Sequence, residues 1–178
     1  MLNLANFWIY GFSAITFVIL SKDFIVLWIG TDYTLSLPIA IMIAINFFMV
    51  GLQSTIWTFK STYGFFHEGK YFVIGTAILN IAFSFLLGHY WGLFGILLAT
   101  ALARLLTNFW YDPYIVFKLG LKINPLVYLK KLAVYTLIIS LAGSATYYVA
   151  SFCLFSNLVN LIIKLIICFL SLSLIKML

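Results

Sequence analysis

Only four of the 178 residues are Asp or Glu, and none of them falls inside a long apolar run. That scarcity argues against an intramembrane carboxylate pair for metal binding, general acid/base chemistry or a proton relay. Two cysteines, Cys153 and Cys168, are too few and too separated in expected depth for a disulfide framework or a thiolate metal site. Charged residues make up 8% of the chain, where soluble domains average about 25%, so a soluble globular fold is excluded. Met1 opens directly into apolar sequence without a basic n-region or a small-residue cleavage site, so no removable signal peptide is expected. His67 and His89 are expected in different loops as solvated side chains. Gly64 and Gly69 lack the strand and helix context of a phosphate-binding loop. No enzyme activity, cofactor or metal is therefore expected.

Hydrophobic sequence is abundant instead, at 65% of residues. Six apolar segments reach spanning length: 2–20, 35–59, 71–87, 91–110, 132–150 and 158–175. Alternating segments of the outer-membrane barrel type are absent, so the spans should be helices that satisfy their own backbone. The expected fold is an all-α integral membrane bundle of six transmembrane helices, one unit without repeat or soluble domain. Ser21 to Thr34 reads as an outer amphipathic turn, which places Asp23 and Asp32 in a loop; Glu68 and Asp112 are likewise placed in loops. Gly88, His89 and Tyr90 form a connection short enough to make spans three and four a helical hairpin. Pro113 and its aromatic neighbours should end the fourth span, and a basic connection runs from there to Lys131. Gly92, Gly95 and Ala99 offer a small-residue face for a close helix neighbour.

The net charge of +6 is arranged by loop parity rather than as one patch, which argues against nucleic acid as a partner. Lys60 and Lys70 fall in the second connection, Lys118, Lys122, Lys130 and Lys131 in the fourth, and Lys176 at the tail. By the positive-inside rule, both termini and the even connections face the cytoplasm of a plasma membrane.

Polar residues at i, i+3, i+4 and i+7 mark the side of each span that avoids lipid. The second span carries Asn46 and Gln53, the third Thr76, Asn80 and Ser84, and the fourth Thr100, Arg104, Thr107 and Asn108. The fifth carries Thr136, Ser140, Ser144 and Tyr147, and the sixth Asn157, Asn160, Lys164 and Ser171. Converging stripes would line a hydrated lumen; alternatively they hold helices together at about 0.6 kcal/mol per contact. Two cations, Arg104 and Lys164, lie in these stripes without an acidic residue in any span to neutralise them. In a helix running inward, the backward tilt of Cβ starts the Arg104 side chain toward the membrane centre. The same tilt directs Lys164 toward the outer surface. An anionic ligand would complete both.

Several segments, in order, resemble the C-terminal half of the bacterial polysaccharide transporter family. They include Phe24 to Gly30 with Tyr33, Leu35 and Ser36; Asn46, Phe47 and Gly51; Thr58, Phe59 and Lys60 before Tyr63 to Phe66 and Tyr71. Asn80, Gly92, Gly95, Ile96 and Thr100 follow, and Trp110, Pro113, Tyr114 and Lys118 close the match. The resemblance implies one half of a multidrug and toxin extrusion-type fold working by alternating access. It implies a flippase for undecaprenyl-diphosphate-linked oligosaccharide repeat units of O-antigen or capsule in the bacterial inner membrane, with a cationic lumen for the diphosphate. Arg104, Lys164, Asn46, Gln53, Asn80, Thr100 and Asn108 are the expected substrate-binding residues. Gly69 departs from the family pattern, which often has an acidic residue there. Family members are more than twice as long, so an N-terminal bundle would be missing or separate. Drug export on the related fold and an inactive or accessory structural fragment are the alternatives, with a membrane-embedded glycosyltransferase further away.

Overall fold

In a computed structural model of the chain, which describes residues 2–152 and 157–175, the architecture is all-helical. Cys153, Lys176 and the side chains of Asn157 and Ser171 lie outside the described residues. Helix α1 spans Leu2–Trp28 and a 3-10 turn follows at Thr31–Tyr33. Helix α2 is Leu37–Thr62, α3 is Phe66–Leu106 and α4 is Asn108–Ile115. A π-helical turn at Val116–Gly120 leads to α5, Pro125–Ser151, and α6, Asn157–Ile175. The segments Ala5–Trp28, Leu37–Thr62, Phe66–Gly120 and Pro125–Ser151 are long and apolar enough to cross a membrane, which marks a membrane protein.

Helix α3 is not one straight rod. Gly92 has φ 57° and ψ −135°, a conformation open to glycine and costly for other residues. Thr76 and Thr107 hydroxyls lie 2.6 Å apart, yet 31 residues of straight helix would separate them by about 46 Å. The chain therefore reverses at Gly92, and the Phe72 ring of the first arm stacks on Tyr111 of α4, which follows the second. A Cβ on Gly95 would sit 2.0 Å from the Leu87 carbonyl, so the close approach requires that glycine. The small-residue face thus packs on its own hairpin arm. The turn lies at Gly92 rather than at Gly88 to Tyr90, which remain helical, because Gly92 is where positive φ is supplied.

Other boundaries also shift, for identifiable reasons. Nothing in Ser21 to Trp28 breaks a helix, so α1 continues to Trp28 and the chain turns away at Gly30, whose φ is 110°. Asn124 caps α5, accepting a hydrogen bond from the Leu126 amide at 3.0 Å, and Pro125 takes the first helical position. Lys130 and Lys131 consequently belong to α5 rather than to a loop. Pro113 lies inside α4; the break falls earlier, at Thr107, with φ −120° and ψ −95°.

Packing is centred on α1, which contacts α2, α5 and α6, while α2 also carries the α3 hairpin and α4. Gly51 admits the Tyr10 ring, which occupies the space a Cβ would fill. Phe7, Ile15, Ile19, Leu52, Ile56, Leu132 and Ile139 form the buried core between these helices. The first arm of α3 is turned outward: Ile81 and Phe85 are 71% and 84% exposed, as suits contact with lipid.

Candidate functional site

Helix α2 and the second arm of α3 run side by side in the same direction. The Asn46 side-chain amide donates to the Leu97 carbonyl at 2.9 Å, 51 residues apart, and Lys60 meets Asp112 at an offset of 52. That register sets Gln53 level with Arg104, with Asn46 about two turns away along α2 and Asn108 about one turn beyond Arg104. Buried polar atoms concentrate here. The Asn46 Oδ1, both amide atoms of Gln53, Arg104 Nη1 and Asn108 Oδ1 are buried without a hydrogen-bond partner in the protein. Each such atom costs about 1–3 kcal/mol, so five of them on α2, the end of α3 and the start of α4 form a concentrated demand for polar partners.

The other expected site residues are used locally. Asn80 accepts a hydrogen bond from Ser84 at 3.0 Å, and Thr100 donates to the Ile96 carbonyl of its own helix. Thr76 and Thr107 join the two hairpin arms. Thr136, Ser140 and Ser144 bond to their own backbone but, with Tyr147, line an apolar cavity of about 510 Å³ between α1, α2 and α5.

Lys164 stands apart from Arg104. It lines a second cavity, about 660 Å³, bounded by the ends of α1 and α5, the start of α2, and α6. Its ammonium lies 2.6 Å from Asp23 Oδ2, and Asn160 donates to the same oxygen at 3.4 Å. The structure therefore does not gather the two cations, and Lys164 has a carboxylate after all. Asp23 lies within α1 rather than in a loop.

A second ion pair corrects the placement of Lys60 and Asp112. Lys60 lies within α2, and its Nζ is 2.6 Å from Asp112 Oδ1, with Asp112 only 1% exposed. Trp57 Nε1 donates to the other carboxylate oxygen at 3.1 Å. Gly69 clears the space: a Cβ there would sit 2.3 Å from the ammonium. The available signal was an opposite pair in apolar and aromatic surroundings, Thr58-Phe59-Lys60 and Trp110-Tyr111-Asp112. Among the described residues no group of three His, Cys, Asp or Glu side chains could hold a metal ion.

Comparison with protein-family models, curated proteins and solved structures returned no match, so the reading of this site rests on its own residues and geometry.

Proposed function

We propose that the chain is one bundle of a bacterial inner-membrane flippase for polyprenyl-diphosphate-linked oligosaccharides, working together with a second bundle. Counting the reversal at Gly92 as a membrane turn gives six crossings, with both termini on the cytoplasmic side and a fold of the multidrug and toxin extrusion type. The observation that carries the reading is the cluster of unpartnered buried polar atoms on Asn46, Gln53, Arg104 and Asn108. A guanidinium forks onto phosphate oxygens, and neighbouring amides donate to the remaining oxygens or to sugar hydroxyls. In alternating access that face would be offered to each side of the membrane in turn. Asp23 and Asp112 are both held by lysines and Glu68 lies in the first turn of α3, at the helix end, which disfavours a lipophilic cation as cargo.

The test is translocation of a fluorescent polyprenyl-diphosphate oligosaccharide in proteoliposomes containing the complemented assembly. Arg104→Ala should lower the rate by about 10-fold to 100-fold, the worth of a charge-assisted hydrogen bond, and Gln53→Leu by less. Unchanged translocation by Arg104→Ala would remove this face from the mechanism.

A further inference from the structure

A third cavity, about 840 Å³, opens where α4, the π-helical turn and the start of α5 meet. Trp110, Tyr114, Lys118, Lys122, Leu126 and Leu129 contribute to its wall, and no Asp or Glu does. Lys118 is held in place: its ammonium donates to the Tyr114 hydroxyl and lies 4.8 Å from the centre of that ring. The wall between the lysines departs from regular helix in two ways. The Leu121 amide donates to the Val116 carbonyl at 3.0 Å, five residues back, and Lys122 takes a positive φ of 54°. The Ile123 amide then returns to the Phe117 carbonyl at 2.9 Å, and Phe117 stacks on buried Tyr128. Lys118 and Lys122 are thereby brought onto one concavity beside apolar wall. Trp110 and Leu126 are more than half exposed, which leaves the cavity open sideways.

We propose that this cavity binds one anionic phospholipid of the surrounding leaflet, with Lys118 and Lys122 on the phosphate and an acyl chain along Trp110, Leu126 and Leu129. The charge complementarity commits the occupant: two cations without a carboxylate, beside a laterally open apolar wall, match a lipid that offers an anionic head and a hydrocarbon tail. The site is separate from the Arg104 face and does not depend on the transported cargo. A zwitterionic lipid brings its own cation to the two lysines and forfeits the advantage.

The experiment uses the full chain in phosphatidylcholine nanodiscs doped with brominated phosphatidylglycerol or brominated phosphatidylcholine. The signal is the Trp110 contribution to fluorescence, taken as wild type minus Trp110→Phe. The expected result is quenching by the anionic lipid at a mole fraction about tenfold lower than by the zwitterionic one. Lys118→Gln with Lys122→Gln should abolish that preference, and Lys118→Arg with Lys122→Arg should keep it. Equal quenching by the two lipids, or a preference that survives the double Gln substitution while the helical circular dichroism is intact, would overturn the proposal. So would displacement of the brominated lipid by millimolar inorganic phosphate, which would make the site a reader of free anions. Displacement by an equimolar polyprenyl diphosphate would assign it to that lipid instead.

Discussion

Lys60 and Asp112 show how one buried charge constrains its neighbours. With Asp112 1% exposed, removing either partner leaves an uncompensated ion, at a cost of about 3–5 kcal/mol. Lys60→Met or Asp112→Leu alone should therefore lower stability by that amount in detergent micelles, followed by Trp57 fluorescence during denaturant unfolding. The double variant Lys60→Met/Asp112→Leu should recover most of the loss, because it removes both desolvation costs together. A double-variant loss equal to the sum of the two single losses would show that the pair does not couple α2 to α4. At this scale the sequence identified the cations but not their partners. Asp23 lies five residues before the end of α1, and Lys164 seven residues after the start of α6. Their depths match to within a few ångströms at 1.5 Å per residue, but only once α1 is known to continue through Asp23.

Among the elements, the α3 hairpin carries the sharpest consequence. It sets the second arm against α2 and so places Arg104 level with Gln53. Cysteines substituted for Thr76 and Thr107, in a chain whose own Cys153 and Cys168 are replaced, should form a disulfide readily under mild oxidation, since the native hydroxyls are 2.6 Å apart. A straight α3 would hold them about 46 Å apart, and the absence of a crosslink would sink the hairpin. The existence of this reversal was legible from its short, glycine-containing connection. Its position was not, because three glycines within eight residues, Gly88, Gly92 and Gly95, compete for the turn. The two flanking glycines are instead consumed by close packing: a Cβ on Gly88 would press on Ile96, and one on Gly95 on the Leu87 carbonyl. Helix α5 begins at Pro125, seven residues before the expected span, for a different reason. Its first turns carry Lys130 and Lys131, whose charge resembles a loop, and the cap at Asn124 outweighs it.

For the whole molecule, the basic residues and the helix order make a prediction about sidedness. Tyr63 and Tyr90 are exposed at opposite ends of the first α3 arm and its approach. In intact cells, a membrane-impermeant maleimide should label Tyr90→Cys in a cysteine-free chain and leave Tyr63→Cys unlabelled until the membrane is opened. The reverse pattern would invert the orientation inferred from the lysines. The molecule also separates its cationic features in space. The Lys164–Asp23 pair lines one cavity with α1 and α5, Arg104 lies on the second arm of α3 with its Nη1 buried, and Lys118 with Lys122 occupies a third position. An anionic lumen ligand and an anionic boundary lipid would therefore meet different residues.

Sequence alone determined that the chain is helical and belongs in a membrane, because both follow from summed hydropathy and from the backbone's need for internal hydrogen bonds. It also determined which residues on each helix are polar, including all four that carry the unpartnered buried atoms of the Arg104 face. The tertiary structure decided which of those polar groups are satisfied and by what. Asn80 and Thr100 are consumed by their own helix, Lys164 by Asp23, and Lys60 by Asp112, whereas Gln53 has no protein partner for either side-chain atom. Helical periodicity fixes the direction of a side chain around its own axis, but not the rotation and register of the neighbouring helix. Whether a buried polar atom finds a partner depends on that second helix.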